Sequence, residues 1–83
     1  MENQNEKFIK IGEIEIRKNC KLRVMIGIRI FIGEVTEITE YNDIIIIDVK
    51  GNKLAFKPKN TKFIQLLTEE EYERIISTYT NKK

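Results

Sequence analysis

The sequence predicts a mainly β fold: a small, strongly bent five-stranded antiparallel barrel followed by a C-terminal α-helix. Three observations carry this. From Leu22 to Ile32 apolar residues alternate without interruption (Leu22, Val24, Ile26, Ile28, Ile30, Ile32), which is the period of a half-buried strand. After Gly33 the phase slips, with Val35 and Ile38 three apart, a spacing that a flat strand does not give and that a bend or bulge does. At the C-terminus Thr68 precedes Glu71 by three residues, and Tyr72, Ile75, Ile76 and Tyr79 follow at helical spacing, a capping box leading into an amphipathic helix.

The elements follow in order. Residues 1–6 read as a disordered arm, and 7–83 as one domain, since 83 residues suffice for one. Ile9, Ile11, Ile14 and Ile16 predict one or two short strands broken at Gly12-Glu13. The polar stretch Arg17–Lys21 is a turn. The alternating run that follows is too long for one ordinary strand, so a turn near Ile26-Gly27 divides it into a hairpin. Gly33 tolerates a close backbone approach at the bend, and a bend of this kind is what a small closed barrel needs at a corner. Tyr41-Asn42-Asp43 is a turn, and the nearly continuous apolar run Ile44–Val49 calls for a strand covered on both faces. Lys50-Gly51-Asn52 is a hairpin turn. Lys53–Lys57 returns as a strand, 58–61 is a loop, and Lys62–Leu67 is the last strand. The helix spans 68–81, its apolar stripe packing on the barrel.

Composition restricts the chemistry. Histidine is absent and Cys20 is the only cysteine, so the chain lacks the usual general base near neutral pH, a thiolate dyad, a zinc ligand set and an internal disulfide. No phosphate-binding glycine loop occurs. The expectation is a protein that is not an enzyme, with no metal, no cofactor and no small-molecule substrate. No apolar run approaches the ~20 residues of a membrane span, and the first seven residues are polar, which reads as cytoplasmic. The net charge is +2, with acidic residues grouped at Glu34, Glu37, Glu40 and Glu69–Glu71 and basic ones from Lys50 to Lys62 and at the end of the chain. A domain this small has a thin stability margin, which makes a homo-oligomer the natural way to bury more apolar surface.

From Leu22 to Leu66 the chain resembles the Sm-like family of small RNA-associated barrels, including its bacterial Hfq branch. Gly33 and Val35 match the start of that family's first motif, Tyr41 its aromatic position and Ile44–Ile47 its apolar strand. Asp43 stands at the asparagine position with Asn42 just before it, and Thr39 stands where the family carries an acid. The run Lys59-Asn60-Thr61-Lys62-Phe63-Ile64-Gln65-Leu66 has the spacing of the second motif, with Lys59 basic and Asn60 in place of glycine; asparagine also tolerates a left-handed backbone. The resemblance implies a ring of six or seven subunits binding single-stranded RNA. In it Tyr41 would stack on a base, Asn42 or Asp43 would hydrogen-bond a base edge, and Lys59, Asn60 and Lys62 would form the basic loop. The family usually carries its helix at the other end.

Two further readings fit the same strand order. One is an SH3-like barrel serving as a protein-interaction or assembly module. The other is a small DNA-binding barrel using the Lys50–Lys62 hairpin on phosphates.

Overall fold

The computed structural model describes residues 7–80; the arm expected over 1–6 and the helix end at Asn81 lie outside the described residues. The element order is β1 (Phe8–Ile11), β2 (Ile14–Arg17), β3 (Lys21–Ile26), β4 (Arg29–Ile38), β5 (Ile44–Asp48), β6 (Lys53–Phe56), a 3₁₀ turn (Pro58–Asn60), β7 (Phe63–Leu67) and α1 (Glu69–Thr80). Five strands form one antiparallel sheet in the order β6-β5-β4-β3-β7, and β1 pairs with β2 in a separate two-stranded sheet. The fold is thus mainly β with antiparallel sheets and one C-terminal helix. The five-stranded sheet is open, because β6 and β7 stand at its two edges.

Alternation decides which side chains meet. Along β3, Leu22 and Val24 point to one face and Lys21, Arg23 and Met25 to the other. The inner face gathers Leu22, Val24, Val35, Ile44 and Ile46, all with no exposed surface, and Phe56 at the rim. The β1–β2 hairpin closes over this face. Ile16 is fully buried in the same cluster, and Ile9, Ile11 and Ile14 pack against it. The separate hairpin therefore completes the core that an open sheet of five strands leaves uncovered. On β5 the covering is unequal: Ile44 and Ile46 are buried, whereas Ile45 and Ile47 on the opposite face are half-buried.

The long alternating run divides where Ile26 pairs with Arg29. The loop is Gly27-Ile28, one residue beyond the expected Ile26-Gly27. Gly27 takes φ +62, and a positive φ at the first loop position is what a tight hairpin turn of the II′ kind requires. The bend in β4 has two parts. At Gly33, which faces Leu22 on one side and Asp48 on the other, an added Cβ would come to 2.8 Å from Asp48 Cα and closer still to the Ile47 carbonyl oxygen. Three residues on, the β4–β5 register slips between Val35 and Glu37. This bulge at Thr36 shifts the inward positions from Val35 to Ile38, which is the three-residue spacing seen in the sequence. Thr36 Oγ1 donates to the Ile45 carbonyl, 3.3 Å away.

The helix lies against the outer face. Its capping box is formed: Glu71 N donates to Thr68 Oγ1 at 3.0 Å, and Thr68 N donates to Glu71 Oε1 at 2.9 Å. Lys21, on the outer side of β3, donates to Glu69 Oε2 at 3.0 Å and lies 5.9 Å from the centre of the Tyr72 ring. Tyr72 is buried, Ile75 and Ile76 are half-buried, and Tyr79, at the far end of the stripe, is exposed. The hydrogen bond to Glu69 raises the pKa of Lys21. Burial, with the Glu34 carboxylate nearby, raises that of Tyr72.

Two outcomes follow. Gly33→Ala forces the β4 and β5 backbones apart and costs roughly 3 kcal/mol, the upper end of overpacking penalties, measurable by urea unfolding. Lys21 and Tyr72 both hold their protons more tightly folded than unfolded. Their contribution to stability is therefore complete below about pH 10 and lost as pH rises through the folded values. Unfolding free energy should be flat from about pH 7 to 9 and fall above about 10, and Tyr72→Phe should make that fall shallower.

Candidate functional site

Two loops far apart in sequence meet at one end of the sheet. The first, between β4 and β5, is organised by Thr39. Its hydroxyl accepts hydrogen bonds from the backbone of Tyr41 (3.2 Å) and Asp43 (3.1 Å), while its own carbonyl accepts from Asn42 N (3.0 Å) and its amide donates to the Asp43 carbonyl (3.0 Å). The chain reverses within a few residues. Asn42 takes φ +67, a left-handed conformation that asparagine tolerates. The result leaves the Tyr41 side chain 74% exposed.

The second loop leaves β6 through Lys57. Pro58 opens the 3₁₀ turn, Asn60 N donates to the Lys57 carbonyl at 2.9 Å, and Thr61 Oγ1 closes the turn on the Pro58 carbonyl at 2.7 Å. Lys57 joins the loops: its Nζ donates to Asp43 Oδ1 at 2.6 Å and to the Tyr41 carbonyl at 3.2 Å. The ion pair is partly exposed, so its worth lies in holding one loop to the other more than in stability.

Between the loops lies an open cleft of about 610 Å³, lined by Tyr41, Asn42, Lys57, Pro58 and Lys59 on the loop side and by Phe8–Ile11 of β1 on the other. Three of the six residues singled out from the sequence, Tyr41, Asn42 and Lys59, thus share one cleft. Asp43 adjoins it through Lys57. Asn60 and Lys62 are not among the lining residues, and Lys62 N is bonded to the Met25 carbonyl at 2.7 Å, at the end of β3. A 3₁₀ turn sends successive side chains about 120° apart, so neighbours in the motif need not share a wall. Lys57 and all of β1 are contributions that the sequence reading did not assign. The signal for Lys57 was its place at the end of a strand directly before Pro58; for β1 the only signal was an aromatic, Phe8, on the exposed side of a strand.

The lining combines exposed aromatic rings, the side-chain amide of Asn42 and three lysines (Lys10, Lys57, Lys59), with no carboxylate among the lining residues. Such a surface can stack planar groups, hydrogen-bond their edges and attract anions. A second cleft, of about 440 Å³, is lined in part by Arg29, Ile30, Lys50, Asn52 and Tyr79. The Cys20 thiol is half-buried and accepts from Arg17 N at 3.3 Å. Among the described residues no group of three or more His, Cys, Asp or Glu side chains is arranged to hold a metal ion, and no helix is long and apolar enough to cross a membrane.

Comparison of the chain with protein-family models, with curated proteins and with solved structures finds no match.

Proposed function

We propose that this chain is a non-catalytic, Sm-like small barrel that binds single-stranded RNA in the cleft between the two loops and assembles into a homo-oligomeric ring. The observation that carries the RNA reading is the convergence of Tyr41, Asn42 and Lys59 from separate loops onto one cleft. Splayed single-stranded bases are read by this combination of stacking, edge contacts and positive charge. Asp43 alone would repel phosphate, but its carboxylate is engaged by Lys57, which neutralises the local charge. The barrel reading draws on the pinch at Gly33 and on the placement of the last strand, β7, beside the first of the five, β3.

The two edges of the sheet, β6 and β7, support the ring. An unpaired edge is a template for strand addition, and β6 of one copy meeting β7 of the next is a head-to-tail contact, which closes into a ring when the rotation fits.

A protein-interaction module is the second reading, favoured by one feature. Phe63, Met25 and Ile30 lie in register across three strands of the outer face, with Phe63 and Ile30 exposed and Ile28 90% exposed at the adjoining hairpin tip. The DNA-binding reading has no comparable feature in its favour, since Lys50 lines a different cleft from Lys57 and Lys59.

Light scattering on the purified chain should give six or seven times the 9.9 kDa monomer mass; a monomer sinks the ring. Hexauridylate and hexaadenylate titrated across a salt series should bind more weakly as salt rises. Tyr41→Ala should cost about 1–3 kcal/mol of that binding, the worth of one stacked base. Unchanged affinity in Tyr41→Ala removes the stacking role.

A further inference from the structure

One wall of the cleft comes from β1, which lies outside the stretch from Leu22 to Leu66 that resembles the RNA-associated family. Phe8 is an unusual residue to find there. Ile9 and Ile11 on the same strand pack against the core, whereas Phe8 and Lys10 are exposed, Phe8 by 46%. An aromatic ring left in water gains little for folding, yet this one is held in place. Arg17, its direct partner in the β1–β2 register, sets its guanidinium 4.6 Å from the ring centre. Arg17 is in turn fixed by Glu15, whose Oε2 accepts from Arg17 Nε at 2.6 Å. Phe8 is among the residues that line the cleft and Arg17 is not, so the guanidinium holds the ring without itself being part of the cleft lining.

We infer that Phe8 is a second stacking platform, so that this cleft takes a run of at least two nucleotides, one base on Tyr41 and a neighbouring base on Phe8. This rests on the single-stranded RNA reading of the cleft. Lys10, two residues along β1 and about 6.6 Å away by strand rise, and Lys59 on the loop side supply positive charge for the phosphates between them. A ring already fixed by a cation costs little further ordering when a base stacks on it. The chemistry selects against a purely apolar ligand because Lys10 and Lys59 line the cleft beside the Lys57–Asp43 pair, and against a lone anion because two aromatic residues do.

The test is titration of hexauridylate and of the dinucleotide UpU into the full chain and four variants, with far-ultraviolet circular dichroism confirming that each is folded. Phe8→Ala and Phe8→Leu should both bind about 5- to 150-fold more weakly, the equivalent of ~1–3 kcal/mol for one stacked base. Leucine keeps the apolar bulk, so a merely structural role would spare Phe8→Leu. Phe8→Trp should retain affinity. The chain has no tryptophan of its own, so this variant also carries a unique fluorophore, which should be quenched as RNA binds. If Phe8→Leu binds normally while Tyr41→Ala is weakened, the second platform is wrong and the RNA reading stands. If neither variant changes binding, or if poly-glutamate binds and hexauridylate does not, both are overturned.

Discussion

At Gly33 the backbone of β4 lies against that of β5 so closely that one Cβ has no room beside the Ile47 carbonyl. This contact and the bulge at Thr36 turn a ten-residue strand into two segments with different inward positions. Val35 continues the face of Leu22 and Val24, and Ile38 resumes that face beyond the bulge. Beyond the bulge β4 ends at the 39–43 loop, and the pairing of Ile44 with Phe56 sets that loop beside the end of β6. There Lys57 reaches both Asp43 and the Tyr41 carbonyl. The cleft is therefore positioned by strand register first and tied by side-chain chemistry second.

The N-terminal hairpin solves a problem that the bend leaves behind. An open sheet has an apolar face with nothing opposite it, and the helix, docked through Lys21 and Tyr72, lies on the other side. Ile9, Ile11, Ile14 and Ile16 supply the missing layer. In doing so they bring β1 alongside the loops, which is why a packing element also lines the cleft. One strand serves both structure and candidate site: Ile9 and Ile11 pack against the core, Phe8 and Lys10 are exposed, and all four line the cleft.

Much of this was legible from the residues. The alternation of β3 and β4, the phase slip after Gly33 and the capping box at Thr68 are local signals, each with one physical cause, and each appears in the structure. Other features were not legible, for reasons of the same kind. Period-2 alternation says that a strand exists but not which strand it pairs with, so nothing within Phe8–Arg17 announces that it forms a sheet of its own. The hairpin loop falls one residue late because uninterrupted alternation carries no mark of where the chain reverses. Tyr41, Asn42 and Lys59, chosen by spacing, line one cleft, whereas Asn60 and Lys62, chosen on the same ground, are not among its lining residues. Lys57 acts only through contacts between loops, and no local pattern announces that.

The pairing of β7 with β3 sets the order in which the molecule can form. β3 with β4, β4 with β5 and β5 with β6 are neighbours in sequence, so their contacts close short loops, whereas Lys21 must wait for Leu67. Closing so long a loop comes late, because its entropy is lost before its contacts are gained. During synthesis β3 thus presents an unpaired, apolar edge until the last strand emerges. β7 is the segment that ends this exposure, so a chain cut short before Phe63 keeps a sticky edge that β7 otherwise covers.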